Sequence, residues 1–212
     1  MSDSRLYSRL LLPKGHGYPL FHPQPFDDLP AESLRVGTDI GDVGVVTSDG
    51  TFDVIFNICR SAGDPVNRFG VPQGFEQVDL GPGDIAPRMQ YHRPGSDVSN
   101  TRISKRRLDV EISTSSKEAA VLLLPDGASR TDLRRKKKFR DYALKHAQRW
   151  YTFVNGDLER MVDNGDLYLV TGTDKSFSWS VAAVENHSED RKISLKLKAA
   201  HRLVTSLLLR QL

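Results

Sequence analysis

Apolar and polar residues alternate on both sides of Asp49-Gly50, in Val43-Gly44-Val45-Val46-Thr47 and Phe52-Asp53-Val54-Ile55-Phe56. An Asp-Gly pair between two such runs predicts a β-hairpin over 43–58 with a two-residue type I′ turn, in which both central residues take φ > 0. Counting outward, Thr47 faces Phe52, Val45 faces Val54 and Val43 faces Phe56, so turn and hydrophobic register agree. Further on, Leu108, Val110 and Ile112 alternate with Asp109, Glu111 and Ser113. After a polar turn at Ser115–Glu118, Ala119–Leu124 reads as a more buried strand, ended by Pro125-Asp126-Gly127. The last third carries strand patterns at Leu167–Thr171, at Phe177, Trp179, Val181 and Ala183, and at Ile193, Leu195 and Leu197, with Gly172–Lys175 as a loop. These predict a three-stranded meander over 165–198, with Phe177 and Trp179 in the sheet core.

The period changes in one place. Phe139, Tyr142, Ala143, His146, Ala147, Trp150 and Val154 recur at steps of three and four. That stripe predicts one amphipathic helix over about Asp132–Val154, N-capped by Thr131 and stopped by a left-handed turn at Asn155-Gly156. The closing residues have helical spacing at Leu203, Leu207 and Leu208 but no cap, so 199–212 is a tail without an assigned element. At the other end Pro13, Pro19, Pro23, Pro25 and Pro30 are interleaved with Tyr18, Leu20, Phe21 and Phe26. Proline neither donates to a ladder nor sits inside a helix, so 1–37 reads as an irregular strap over a core, with one helical turn near Asp28–Arg35. Residues 60–104 read as long Gly- and Pro-rich loops within a β-rich 38–125. Strands, one helix, then strands give an α+β fold, in which antiparallel hairpins and a meander pack on one main helix as a single domain over 1–212.

Composition narrows the class. Hydrophobic residues are 38% and charged residues 27% of the 212, as in globular proteins. The single cysteine, Cys59, rules out an intrachain disulfide, favours the cytoplasm or nucleus, and reads as a small buried hydrophobe. No run approaches the ~18 apolar residues of a membrane-spanning helix. The segment Arg5–Leu12 lacks the apolar core of a secretory signal; it weakly resembles an organelle presequence, and reads better as a tail held by its own leucines.

The candidate chemistry is sparse. Arg134, Arg135, Lys136, Lys137, Lys138 and Arg140 place six cations in seven residues, although the net charge is only +3. Such a run at the helix start opposes the macrodipole, and could meet a protein partner, an anionic membrane surface or, less favourably, nucleic acid. No histidine pair has helical zinc spacing and there is no Cys pair, so no metal or other cofactor is expected; His146 reads as a satisfied core histidine. Asp39, Asp42, Asp49 and Asp53 cluster in sequence without a fixed separation. Gly172-Thr173-Asp174-Lys175 resembles a phosphate loop but leads into a strand rather than a helix.

Four segments, Gly17–Leu20, Ile40–Gly44, Phe52–Ile58 and Leu167–Ser176, together resemble an expanded family of uncharacterised proteins from mushroom-forming fungi (basidiomycetes), over about residues 15–198. That resemblance implies no catalytic residue. It also implies further strands after Ile193–Lys198, where this chain carries a leucine-rich tail. The six residues Leu167–Gly172 are also similar to a strand of fungal gasdermin-like proteins, which implies a membrane-acting module. The ribbons Leu108–Ser113 and Ile193–Lys198 have the one-apolar, one-charged alternation of a pore strand, but are shorter than the roughly 9–11 residues such a strand needs.

The expectation is therefore an intracellular, non-enzymatic binding module that engages a protein or anionic surface through the basic helix start. A gasdermin-like pore-forming module and a hydrolase using Asp42, Asp53 or Cys59 are the alternatives.

Overall fold

Period-two runs form strands and the period-3.6 stripe forms the longest helix, giving an α+β fold in a computed structural model. It describes residues 2–101, 103–106, 109–112, 117–185, 193–196 and 205–210, with side chains for 2–101 and 117–185. The chain begins with α1 (Asp3–Leu11), a 3₁₀ turn (Leu12–Lys14), β1 (Tyr18–Pro19) and α2 (Ala31–Val36). The hairpin β2 (Asp42–Val46) and β3 (Phe52–Asn57) leads to a second 3₁₀ turn (Pro65–Asn67). Then come β4 (Ile85–His92), β5 (Ser96–Ser99), β6 (Ile103–Arg106), β7 (Asp109–Ile112), β8 (Glu118–Leu124) and β9 (Ala128–Leu133). Helix α3 (Lys136–Thr152) runs into a π-helical turn (Phe153–Asp157). The described strands end with β10 (Leu167–Leu169), β11 (Gly172–Ser176), β12 (Ser180–Glu185), β13 (Ile193–Lys196) and β14 (Thr205–Arg210).

Every strand pairing described is antiparallel, in the orders β1-β14-β11-β9-β4, β10-β2-β3, β12-β8-β5 and β13-β7-β6. One run joins two of these sheets. β10 pairs with β2, Val170 then exchanges hydrogen bonds of 2.9 Å with Gly41 and Asp42, and β11 continues between β9 and β14. Residues 172–175 are therefore a strand, not a loop, and the strands of 165–198 find distant partners instead of pairing with each other as a meander. Similarly Thr205–Arg210, which includes Leu207 and Leu208, is a strand between β1 and β11 rather than a helix. Leu203 and the turn at 113–116 lie outside the described residues.

The Asp49-Gly50 hairpin forms with a different turn. Only Gly50 takes positive φ (89°). The Thr47 N–H donates to the Thr51 carbonyl and the Gly50 N–H to the Thr47 carbonyl, both at 2.9 Å, while the Thr47 and Thr51 hydroxyls close on the Asp49 carboxylate. This wider loop sets Val45 opposite Asp53, not Val54, and a bulge between Val43 and Gly44 restores Val43 opposite Phe56. A Cβ at Gly44 would strike the Asp53 carbonyl oxygen, so glycine is what the bulge requires.

Three of the four hydrophobic cores among the described residues join elements from different parts of the chain. Phe139, Trp150, Phe153 and Val154 from α3 and its π turn pack on Val43, Ile55, Phe56 and Leu169. Phe56 meets Trp150 and Phe153 edge-on at 5.8 and 6.1 Å. Full burial of each such side chain is worth roughly 1.5–3 kcal/mol. The amino-terminal leucines do hold down their segment, but as a helix: Leu6, Tyr7 and Leu11 are buried, Tyr7 and Leu11 in a core with Val98, Leu122 and Leu124 of the β12-β8-β5 sheet. The proline-rich segment covers a third core of Leu20, Leu29, Phe52, Val54, Val66 and Val170, and holds the short helix α2 where one turn was expected.

Local signals misplace both ends of α3. Thr131 and Asp132 belong to β9, paired with β4 and β11, so the helix starts at Lys136 behind Arg135 and has no side-chain N-cap. Gly156 stays inside the π turn, and the left-handed residue is Glu159 (φ 54°). Phe177 is 64% exposed because Ser176 and Ser178 turn inward. Their hydroxyls donate to the Gly127 carbonyl (2.7 Å) and the Asp126 carboxylate (2.6 Å). Trp179 packs in the α1 core, not against α3. The 60–104 region, read as loops, contributes β4, β5 and β6.

Candidate functional site

All six residues of the basic run are exposed. Arg134 and Arg135 precede α3, and Lys136, Lys137, Lys138 and Arg140 form its first turns. Arg135 Nε donates to the buried Asp84 carboxylate at 2.8 Å, Lys137 pairs with Asp141, and Lys138 Nζ donates to the Asp79 carbonyl. Among the described residues the Arg134, Lys136 and Arg140 side chains make no hydrogen bond or ion pair. Lys145 and Arg149 extend the cationic surface along the exposed part of the helix, beside Leu144, which is 78% exposed. Residues 134–152 hold eight Lys and Arg against one Asp, a net +7, in a chain of net +3. The remaining residues therefore sum to −4, although residues 191–212 also hold six Lys and Arg and no Asp or Glu, so 134–152 is one of two strongly basic stretches.

The carboxylates divide. Asp49 caps its own turn, and Asp53 is clamped by Arg160 (2.5 Å) and Arg68 (3.7 Å). Asp39 and Asp42 come together beside a cavity of about 240 Å³ between α2 and the Pro65–Asn67 turn. Asp42 opens β2 and Asn57 closes β3 in register with it. Asn57 Nδ2 donates to Asp42 Oδ1 at 2.7 Å, and the Asp39 N–H donates to Asp42 Oδ2 at 2.6 Å. Gly41 (φ 93°) permits this turn, since a Cβ there would come within 2.7 Å of Cys59 Sγ. Burial pushes the Asp42 carboxyl up to about 7 against the pull of these hydrogen bonds, and the neighbouring Asp39 charge adds to the rise. Lys175 reaches the same region from β11, donating to the Val36 carbonyl at 2.8 Å; burial pushes its ammonium down. Asp42 can thus hold or release a proton near neutrality. Burial and the Asp39 and Asp42 charges push the Cys59 thiol up to about 12, which disfavours the thiolate a nucleophile needs.

The histidines also sort by environment. His146 is buried and stacks on Tyr142 at 4.3 Å, but among the described residues its Nε2 has no hydrogen-bond partner, so it is not the satisfied core histidine the stripe suggested. His16 and His92 meet Asp174 and Arg130, residues that sequence spacing could not associate: His92 and Asp174 are 82 positions apart. Among the described residues no helix is long and apolar enough to cross a membrane. No protein-family model, curated protein or solved structure matches the chain.

Proposed function

We propose that the protein is a non-enzymatic, intracellular binding module that docks onto an anionic surface through α3 and the two arginines before it. The observation that carries this reading is the net +7 on residues 134–152, with all six cations of the run 134–140 exposed. Concentrated charge of one sign steers an oppositely charged partner and weakens with salt, with a screening length of about 8 Å at physiological ionic strength. Arg134, Lys136 and Arg140 contribute no ion pair to the described fold, so they are available to a partner.

The test is the triple substitution Arg134→Gln, Lys136→Gln, Arg140→Gln. The folded chain should pellet with anionic vesicles and not with neutral ones, less so as salt rises, and the triple variant should lose at least about tenfold in affinity with an unchanged thermal midpoint. Binding unaffected by salt and by the triple variant overturns the reading.

A gasdermin-like membrane action is the second reading. It is favoured by the repetition of strand order, β5-β8-β12 followed by β6-β7-β13, with successive strands in matching places. The strands of the second sheet have four residues each, against the roughly 9–11 needed to span a bilayer, so this action requires them to lengthen. Dye release in the same vesicle assay separates the two readings: binding without leakage supports docking alone.

A further inference from the structure

Four side chains from four segments converge beside β11. Asp174 is fully buried and lies on the opposite side of its strand from Lys175. Arg130 of β9 donates to it twice, Nε to Oδ1 and Nη2 to Oδ2, both at 2.7 Å. His92, at the end of β4 and 8% exposed, places Nε2 2.9 Å from Asp174 Oδ2. His16, held just after the 3₁₀ turn by Gly15 in the left-handed region (φ 77°), stands half-buried with its ring 5.3 Å from that of His92. One ligand atom from each of His16, His92 and Asp174 lies within 4.8 Å of the others.

We propose that His16, His92 and Asp174 form a binding site for a divalent cation of the zinc class. Two imidazoles and one carboxylate are a donor set that such ions accept, with water in the fourth position. Ligand distances of about 2.0–2.2 Å put tetrahedral donors roughly 3.3 Å apart. The Asp174–His92 pair is close to that spacing already. The widest pair must close by at most about 1.5 Å, within reach of a small side-chain rotation at the half-buried His16.

Arg130 fits the arrangement in a definite way. Its Nε holds Asp174 Oδ1 and so orients the carboxylate, as a hydrogen-bond donor behind a metal ligand does. Its Nη2, 2.7 Å from Oδ2 and 3.4 Å from His16 Nδ1, stands beside the place of the ion, so the planar guanidinium must shift as a whole when the ion enters. The guanidinium already lies 3.7 Å from the centre of the Tyr91 ring, which gives it a surface to rest on. The solvent-facing side of the cluster is His16, which supplies the entry path and the place for the water. Bound there, the ion would tie the amino-terminal segment to β4 and β11.

The experiment is titration of the chelator-treated, full-length chain with Co²⁺, followed by Zn²⁺ displacement. The expected result is a tetrahedral Co²⁺ absorption band at one equivalent, displaced by Zn²⁺, together with a thermal midpoint that rises on adding Zn²⁺. His16→Ala, on the exposed side of the site, should fold as the parent does by circular dichroism and bind at least about tenfold more weakly. His92→Gln should do the same while keeping the buried shape, and His22→Ala, an exposed histidine elsewhere, should change nothing. Absence of the band, binding weaker than about 100 µM, or equal binding by parent and His16→Ala overturns the proposal. The four side chains would then be an ion-pair network and nothing more.

Discussion

At the residue scale Asp42 sets the clearest pH dependence. Its folded-state value of about 7 lies above the ordinary 3.8, so between those values the folded chain keeps a proton that the unfolded chain has released. The stabilisation is full below about pH 4 and is lost as pH rises toward 7, at no more than about 1.4 kcal/mol per pH unit. In urea denaturation at pH 4, 5.5 and 7, the stability of the parent relative to Asp42→Asn should therefore fall as pH rises. Parallel pH profiles would show that Asp42 is ionised in the fold. Sequence brought Asp39 and Asp42 into view because they share one turn. Asn57 and Lys175 stayed hidden because the first arrives by strand register and the second from a strand that had read as a loop.

At the scale of elements, α3 was legible because its stripe is local: positions three and four apart share a face whatever the rest of the chain does. Its start was not legible, because Thr131 and Asp132 cap well in isolation but are claimed by pairing with β4 and β11. The same competition explains Gly172–Lys175. A polar strand looks like a loop until Arg130, His92 and the Val36 carbonyl take up its side chains. Helix packing gives a paired prediction. Trp150→Ala, in the core against Phe56, should cost about 3–5 kcal/mol, whereas Leu144→Ala on the exposed side should stay within about 0.5 kcal/mol. Chemical denaturation of both variants checks this, and equal losses would place Leu144 under cover.

At the scale of the molecule, the basic surface could be read from the chain because its charges are contiguous. The His16, His92 and Asp174 cluster could not, because it exists only once three distant segments meet. The α+β class followed from the order of patterns, while the sheet topology depended on pairings that no local signal encodes. The run Leu167–Ser176 shows what that topology implies. One continuous run of chain whose first strand completes one sheet and whose second lies inside another cannot be lifted from either without unzipping both. Amide hydrogens from Leu169 to Thr173 should therefore exchange with deuterium only in the rarest openings of the molecule, and at one common rate. The two sheets would come apart as a unit, so this ten-residue stretch would act as the latch of the whole fold.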